Sequence, residues 1–454
     1  MLKKILITLV ILLALAAAGI YWLAGQLGLS GNMQANLDVA TGLSAKLACS
    51  GYHLSGIPRE KLYADIDSYA PISSVLRLGV NRHNPVTSAT LLRNVVKTAT
   101  YRPGLGCTLN IGDTTAVDRL SMPDLQPNPA SWPQGNRVDS INPTLQQQLD
   151  AIVAADNQAQ LQTRAMLVVH DGQVVAESYA AGFNPESQLL GWSMGKSVTA
   201  MLMGRLFTQG QLDVATTGLF PAWQEDNRHA ISLENLLQMS SGLDFDETYA
   251  PGSDATYMLF AAPSAAKVAL ASPLAHDPGS HFSYSSGTTN LLMQYLAEQL
   301  GGPQALLDYL RVNLYEPLNL ADTTFEVDPS GILVGSSYIY ASARDWAKLG
   351  LLMLNNGQHN GEQLLHPDWV RASTSPNSSA NDPRYGYQFW LNQGSDSPRW
   401  PQLPRDAYAM NGNRAQSVMI VPSANTVLVR LGWTAGQYPM QKHFAALLSS
   451  ITEL

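Results

Sequence analysis

The chain has 454 residues, 45% of them apolar and only 14% charged, where about 25% charged is usual for a soluble domain. Its 27 basic and 35 acidic residues leave a formal net charge of −8, and no basic run occurs beyond Lys3-Lys4. A nucleic-acid binder, which needs a basic stripe to neutralise phosphates, is thereby excluded, while the length allows two or three structural units around a sizeable core.

In chain order, Lys3-Lys4 come first and precede an uncharged apolar run from Ile5 to Ala24, about long enough to cross a bilayer. Tyr21 and Trp22 lie near its far end, where interfacial aromatics belong, and the charge before the run places the rest of the chain outside the cytoplasm. A cleaved signal peptide is the competing reading. Cleavage at Ala16-Ala17-Ala18 would leave the apolar stretch Gly19 to Leu23 on the mature end, so an uncleaved anchor over residues 1–29 is expected. Both readings export the chain to the periplasmic side of the cell envelope. No Cys stands near the run, so lipoprotein anchoring has no support.

Residues 30 to about 121 read as an extension of mixed character without a catalytic signature. The chain has two cysteines, Cys49 and Cys107, and in an exported protein the pair is expected to form one disulfide closing this extension. Neither sits in a C-x-x-C, so zinc and thioredoxin chemistry have no footing. Pro123, Pro127, Pro129 and Pro133 mark a linker or wrapping segment, which brings the extension to residue 141.

The main domain, residues 142–454, opens with a helix capped by Asn142. Pro143 suits its first turn, and Leu145, Leu149, Ile152 and Val153 give it an apolar face. A hairpin follows: Ala165–Val169, a turn at His170-Asp171-Gly172, then Val174–Tyr179. Helical patterns fill Ser193–Gln209, Leu233–Met239, Thr288–Leu300 and Ala343–Asn355. A second strand pair, Ser417–Val421 and Thr426–Leu431, turns at Pro422 to Asn425. A helix from about Pro439 to Ile451 closes the chain. Strands at both ends with helices between them predict an α+β fold: one antiparallel sheet flanked by helices, with a mostly helical subdomain inserted at about 210–335.

Three segments carry chemistry. The first, Gly191-Trp192-Ser193-Met194-Gly195-Lys196-Ser197, fits both the G-x-S-x-G elbow of α/β-hydrolases and the S-x-x-K of penicillin-binding proteins and serine β-lactamases. An elbow serine follows a buried strand, yet Asn184 to Gln188 are polar and turn-like, and only Leu189-Leu190 are apolar. An elbow also needs a downstream histidine, and His276, His281 and His366 lie in no distinctive motif. Val198, Met201, Leu202 and Leu206 instead continue a helix, on which residues three apart share a face, so Ser193 and Lys196 can meet. A lysine kept from water loses basic strength and can deprotonate a serine. Taken alone, S-x-x-K is more often a capping serine before a surface lysine.

The second segment, Pro278 to Gly287, is a turn rich in Gly, Ser and Tyr that can direct Tyr284 and Ser286 into a cleft. The third, Met410 to Gln416, precedes a strand, and the Asn413 and Ser193 amides can form an oxyanion hole. Alone, these read as a core tyrosine and an Asn/Gly-rich loop.

Together the segments resemble the penicillin-recognising serine hydrolase superfamily, in its class C β-lactamase-like branch, and within it most closely the 6-aminohexanoate-dimer hydrolases. The residues that carry the likeness are Gly191 to Thr199, Leu236 to Leu243 (LLQMSSGL), Pro278 to Gly287 and Ala341 to Gly350 (ASARDWAKLG), in order across roughly 142–454. The resemblance implies a β-lactamase/transpeptidase-like fold, with Ser193 as nucleophile, Lys196 as its basic partner and Tyr284 as general base and acid. Ser286 takes the third position of the Tyr-x-Asn motif. Tyr249 matches a loop tyrosine that covers substrate, and Gly412 and Asn413 line the site.

The sequence departs from the family where Lys-Thr-Gly reads Met410-Asn411-Gly412, where Ser286 replaces an asparagine, and where the usual Gly before Gln416 is Ala415. These changes argue against efficient β-lactamase or penicillin-binding activity. Arg414 is expected to face solvent, and Asp345 to cap its helix without a catalytic role. The expected activity is hydrolysis of a small-molecule or peptide-like ester or amide through an acyl-enzyme, with no metal or organic cofactor. The alternatives are a catalytically silent envelope-binding protein of the same fold and an α/β-hydrolase.

Overall fold

The computed structural model describes residues 33–91 and 94–452, together with Gly19. The expected anchor at 5–24 therefore lies outside the described residues except for Gly19; among the described residues no helix is long and apolar enough to cross a membrane.

The extension has a regular fold of its own. Helix α1 (Met33–His53) and helix α2 (Arg59–Tyr69) precede strands β1 (Arg77–Asn81), β2 (Asn84–Leu91), β3 (Asn94–Arg102) and β4 (Gly106–Leu109), which form an antiparallel sheet in chain order. From Val39 to Gly51 every residue of α1 is buried, as a helix of small and apolar residues with one lysine is when enclosed on all sides. The Cys49–Cys107 disulfide joins α1 to β4, with Cα atoms 6.0 Å apart.

That lysine ties the extension to the rest of the molecule. Lys46 Nζ ion-pairs with Glu326 and donates to the Cys107 carbonyl at 2.6 Å, while Glu326 accepts from the Cys107 amide at 2.6 Å and from Ser50 Oγ at 2.8 Å. Both side chains are enclosed. Burial pushes the lysine down and the carboxyl up, and each opposes the other's shift.

The main domain begins with α3 (Pro143–Gln158), where the Asn142 side chain accepts from the amides of Thr144 and Leu145 as an N-cap. Then come β5 (Thr163–His170) and β6 (Gln173–Tyr179), joined by Asp171 and Gly172, both at positive φ (48° and 75°), as a two-residue hairpin turn requires. After β7 (Leu189–Leu190) runs α4 (Met194–Thr208); α5 (Ser286–Leu300) lies beyond short helices at Leu233–Leu237, Asp254–Phe260 and Ala265–Leu270. The chain continues through β8 (Thr323–Phe325), β9 (Ile339–Ala341), α6 (Ala343–Leu354), β10 (Trp390–Leu391), β11 (Tyr408–Gly412), β12 (Gln416–Val421), β13 (Thr426–Gly432) and α7 (Met440–Thr452).

The principal sheet is antiparallel, in the order β10-β11-β12-β13-β5-β6. The C-terminal strands thus pair with the N-terminal hairpin through β13 and β5, with Val429 opposite Leu167. Alternation along β5 divides its side chains between two cores. Met166 and Val168 pack with Leu149, Phe444 and Leu447 of α3 and α7, while Leu167 and Val169 join the large core shared with α4 and α6. Strands β7, β9 and β8 make a separate small sheet in that order.

Asp345 does not cap α6. The cap is Ser342, whose Oγ accepts from the Asp345 amide at 3.1 Å. The buried Asp345 carboxylate turns instead to the start of β8 and accepts from the Asp322 amide and Thr323 Oγ1, each at 2.9 Å.

Replacing Lys46 by Met strands Glu326 in the interior. Breaking one partner of a buried pair costs about 3–5 kcal/mol, so the urea midpoint is expected to fall by that equivalent, and Lys46→Met/Glu326→Gln to recover part of it. A midpoint unchanged by Lys46→Met would show that the pair does not hold the extension.

Candidate active site

Helix α4 is buried on every face from Met194 to Leu206, so whatever it carries at its first turn is fixed by the core. Ser193 immediately precedes it in unstrained helical geometry (φ −63°, ψ −5°). The strand before it is only two residues long and belongs to an antiparallel sheet, which is not the context of an α/β-hydrolase elbow. The flanking glycines have packing reasons of their own. A Cβ on Gly191 would lie 2.2 Å from the Trp346 ring, and one on Gly195 would lie 2.7 Å from the Gly335 carbonyl. The histidines an elbow would need are engaged elsewhere: His281 stacks on His276 and bonds Asn381, and His366 caps the helix Pro367–Ser373.

One turn into α4, Lys196 Nζ reaches Ser193 Oγ at 3.0 Å, Ser286 Oγ at 2.8 Å and the Ser336 carbonyl at 3.2 Å, and the residue is 1% exposed. Asn290 of α5 holds the Ser336 segment by exchanging hydrogen bonds with Ser336 Oγ (3.1 Å) and the Ser336 amide (3.3 Å). Burial brings Lys196 from 10.5 down to about 8, against the opposing pull of Glu247.

Tyr284 lies over the same amine, with Nζ 4.8 Å from its ring centre. Its ring stacks on Trp390 and meets Tyr385 edge-on. Burial pushes its hydroxyl well above the ordinary tyrosine range, partly offset by a hydrogen bond with Ser193; it is a phenol, not a phenolate, at neutral pH. Ser286, expected in the turn, is the first residue of α5, capped by Ser285. Tyr249 OH stands 3.4 Å from Ser286 Oγ. Ser193, Lys196, Tyr284, Ser286 and Tyr249 thus converge.

The far wall is the end of β11. Gly412 lies so near the Ser193 loop that a Cβ on it would sit 2.0 Å from the Gly191 carbonyl. Met410 points into the core and Asn411 accepts from Ser417 Oγ at 2.9 Å, so neither substitutes for a lysine in that motif. Arg414 and Ala415 both have positive φ (60° and 63°), a backbone glycine tolerates best; a glycine is the residue the family pattern has at Ala415. Arg430 donates to both carbonyls of this turn (2.9 and 3.2 Å). Arg414 does not face solvent as expected. Its guanidinium lies 4.9 Å from the Tyr69 ring centre and donates to the Ser68 carbonyl at 2.7 Å, because α2 of the extension covers it.

Sequence reasoning missed three parts of the site. Tyr69, from an extension that shows no catalytic pattern, accepts from Asn413 Nδ2 at 3.1 Å and stacks on Trp192 beside Ser193; burial pushes its hydroxyl up to about 12. Gln388 links α4 to α5, its carbonyl accepting from Ser197 Oγ at 2.6 Å and its side chain from Thr289 Oγ1 at 2.8 Å. Glu247 accepts from both the amide and the hydroxyl of Ser286, each at 2.6 Å. Its only signal in the sequence was its place two residues before Tyr249.

The beta-lactamase family profile matches residues 146–446, well over half of the chain. The chain is 27% identical over 306 residues to a 6-aminohexanoate-dimer hydrolase of Paenarthrobacter ureafaciens, covering 64% of this chain and 76% of that protein. Its fold matches a Bacillus anthracis protein provisionally classed as a 6-aminohexanoate-dimer hydrolase (TM-score 0.55, 20% identity, 75% of this chain and 91% of that one). It also matches EstCE1, a hydrolase with promiscuous acyltransferase activity (TM-score 0.55, 16% identity, 68% and 98%).

A methyl group at position 412 forces β11 away from the Ser193 loop. Misplacement by about 1 Å can cost about 10²-fold, so Gly412→Ala is expected to lower kcat/KM for an ester by that order, with the fold retained and the thermal melt lowered by the equivalent of about 1–3 kcal/mol of overpacking. Unchanged kcat/KM would show that this approach is not needed.

Proposed function

The chain belongs to the beta-lactamase family and is a serine hydrolase, and we propose that it cleaves a small ester or amide through an acyl-enzyme on Ser193. The observation that carries this reading is the buried Lys196 amine 3.0 Å from the Ser193 hydroxyl.

The two titratable partners divide the work. Lys196, brought down to about 8, is partly neutral near pH 7–8, whereas Tyr284 keeps its proton. Lys196 therefore takes the Ser193 proton as the oxygen attacks the carbonyl carbon. The oxyanion rests on the Ser193 amide, free at the helix start, and on the Asn413 amide. Tyr284 donates its proton to the leaving group and is resupplied by the Lys196 ammonium. Deacylation retraces the path with water in place of the leaving group.

Linear amides and esters fit this site better than β-lactams do, since Met410 and Ser286 stand where a cation and an amide would hold a β-lactam's polar groups. The relative from Paenarthrobacter ureafaciens, a 6-aminohexanoate-dimer hydrolase, supports a short amide as one substrate class. We place the enzyme outside the cytoplasm, tethered by residues 5–24; the Cys49–Cys107 bond supports export, since such bonds persist in oxidising compartments.

Ser193→Ala is expected to abolish hydrolysis of a p-nitrophenyl ester with the fold intact, and Lys196→Ala to cost at least about two orders of magnitude. Retained activity in the serine variant would remove the nucleophile assignment. Because the base must be unprotonated, kcat/KM should rise with pH through an apparent pKa near 8 and fall away below it; a limb near the ordinary histidine value of about 6.5 would point to a different base.

A further inference from the structure

Glu247 has no place in the mechanism above, yet its carboxylate is fixed against a residue that touches the catalytic amine. We propose that Glu247 is a positioning residue: it makes the Ser286 hydroxyl an acceptor toward Lys196 and so aims the lysine's electron pair at Ser193. The proposal rests on the reading of Lys196 as the base.

A carboxylate only accepts, so the Ser286 hydroxyl, 2.6 Å from Glu247 Oε1, donates to it, as the Ser286 amide does to Oε2. The Ser286 proton is then spent, and at the 2.8 Å contact with Lys196 Nζ this oxygen can only accept. The Ser336 carbonyl, also acceptor-only, takes a second N–H at 3.2 Å. A neutral amine has two hydrogens and one electron pair. Both hydrogens are used, and the pair faces the remaining neighbour, Ser193 Oγ at 3.0 Å. Ser193 is thereby made the donor, the state from which its proton moves to nitrogen.

Without the carboxylate, the Ser286 hydroxyl is free to turn and donate to the amine, competing with Ser193 for the same electron pair. Tyr249 OH, 3.1 Å from Oε1, steadies the carboxylate from the loop side. The ionisable groups facing this pair are Lys196, Tyr249, Tyr284, Tyr69 and Tyr385; the tyrosines, all shifted upward, keep their protons near neutral pH, so Glu247 is the charge that Lys196 feels.

The test uses pH profiles of kcat/KM for a neutral p-nitrophenyl ester, with folding checked by thermal melting. Glu247→Gln removes both the charge and the fixed hydrogen-bond direction. Its plateau should fall at least about tenfold, and its acid limb should move to lower pH, because the carboxylate that raised Lys196 is gone. Glu247→Asp keeps the charge but withdraws the oxygen from Ser286, and Ser286→Ala removes the hydroxyl; each should lower the plateau and leave the limb in place. A merely structural role would not move the limb. A wild-type plateau in Glu247→Gln, or a lowered plateau with an unmoved limb, would overturn the proposal. Should Glu247→Gln fail to fold, an undiminished plateau in Glu247→Asp or Ser286→Ala would overturn it instead. If the wild-type profile has no limb that Lys196→Ala abolishes, it is the assignment of the base that fails.

Discussion

An amine held in the interior without an ionised group in direct contact is the constraint on which this molecule is built. Desolvation disfavours the ammonium, and the Lys196 amine lies among two hydroxyls and a carbonyl at 2.8–3.2 Å. Those neighbours come from three separate stretches of chain: the start of α4, the start of α5 and the segment before β9. To bring them together, α4 must be apolar on all sides, Gly195 must let the 335–337 backbone approach, and Asn290 must hold Ser336. The core around α4 thus keeps water from the Lys196 nitrogen while leaving Ser193 beside it partly exposed. The same enclosure disfavours the charged form of Tyr284: burial that leaves part of a lysine neutral, and so free to accept a proton, makes a tyrosine a weaker acid, and the proposed mechanism accordingly gives the two residues different parts in the proton transfer.

The extension belongs to the site as well as to the scaffold. Lys46 and the disulfide fix α1, and α2 then delivers the Ser68 carbonyl and the Tyr69 ring to the turn at 413–415. That turn is costly in backbone terms, with consecutive non-glycine residues at positive φ, each about 1–2 kcal/mol above the right-handed alternative. Hydrogen bonds from Arg430 and Gln416 and the stacking of Arg414 on Tyr69 hold it. The physical unit around Ser193 includes residues from the extension, on the other side of the boundary expected near residue 142.

Local signals in the sequence were sufficient where local physics decides. The Asn142 cap, the Asp171-Gly172 turn, the strand pair at the C-terminus and the helical spacing after Ser193 each follow from residues within a few positions of one another, and the antiparallel sheet from both chain ends followed from their order. That Ser193, Lys196 and Tyr284 come together was legible because ordered motifs carried them. Arg414, Asp345, Glu247 and Tyr69 were not, because their roles are set by partners far along the chain. Arg414 is turned from solvent by Ser68, 346 residues away, Asp345 bonds Asp322 instead of its own helix end, and Glu247 is met by Ser286 39 residues later.

The most direct measurement is labelling with a fluorophosphonate, followed by intact-mass analysis and peptide mapping, at pH 6.5 and 8.5. The account predicts one adduct per chain, on Ser193, formed faster at the higher pH, and both slowed and made insensitive to pH by Lys196→Ala. An adduct on another residue, or labelling of Ser193 indifferent to Lys196, would contradict it.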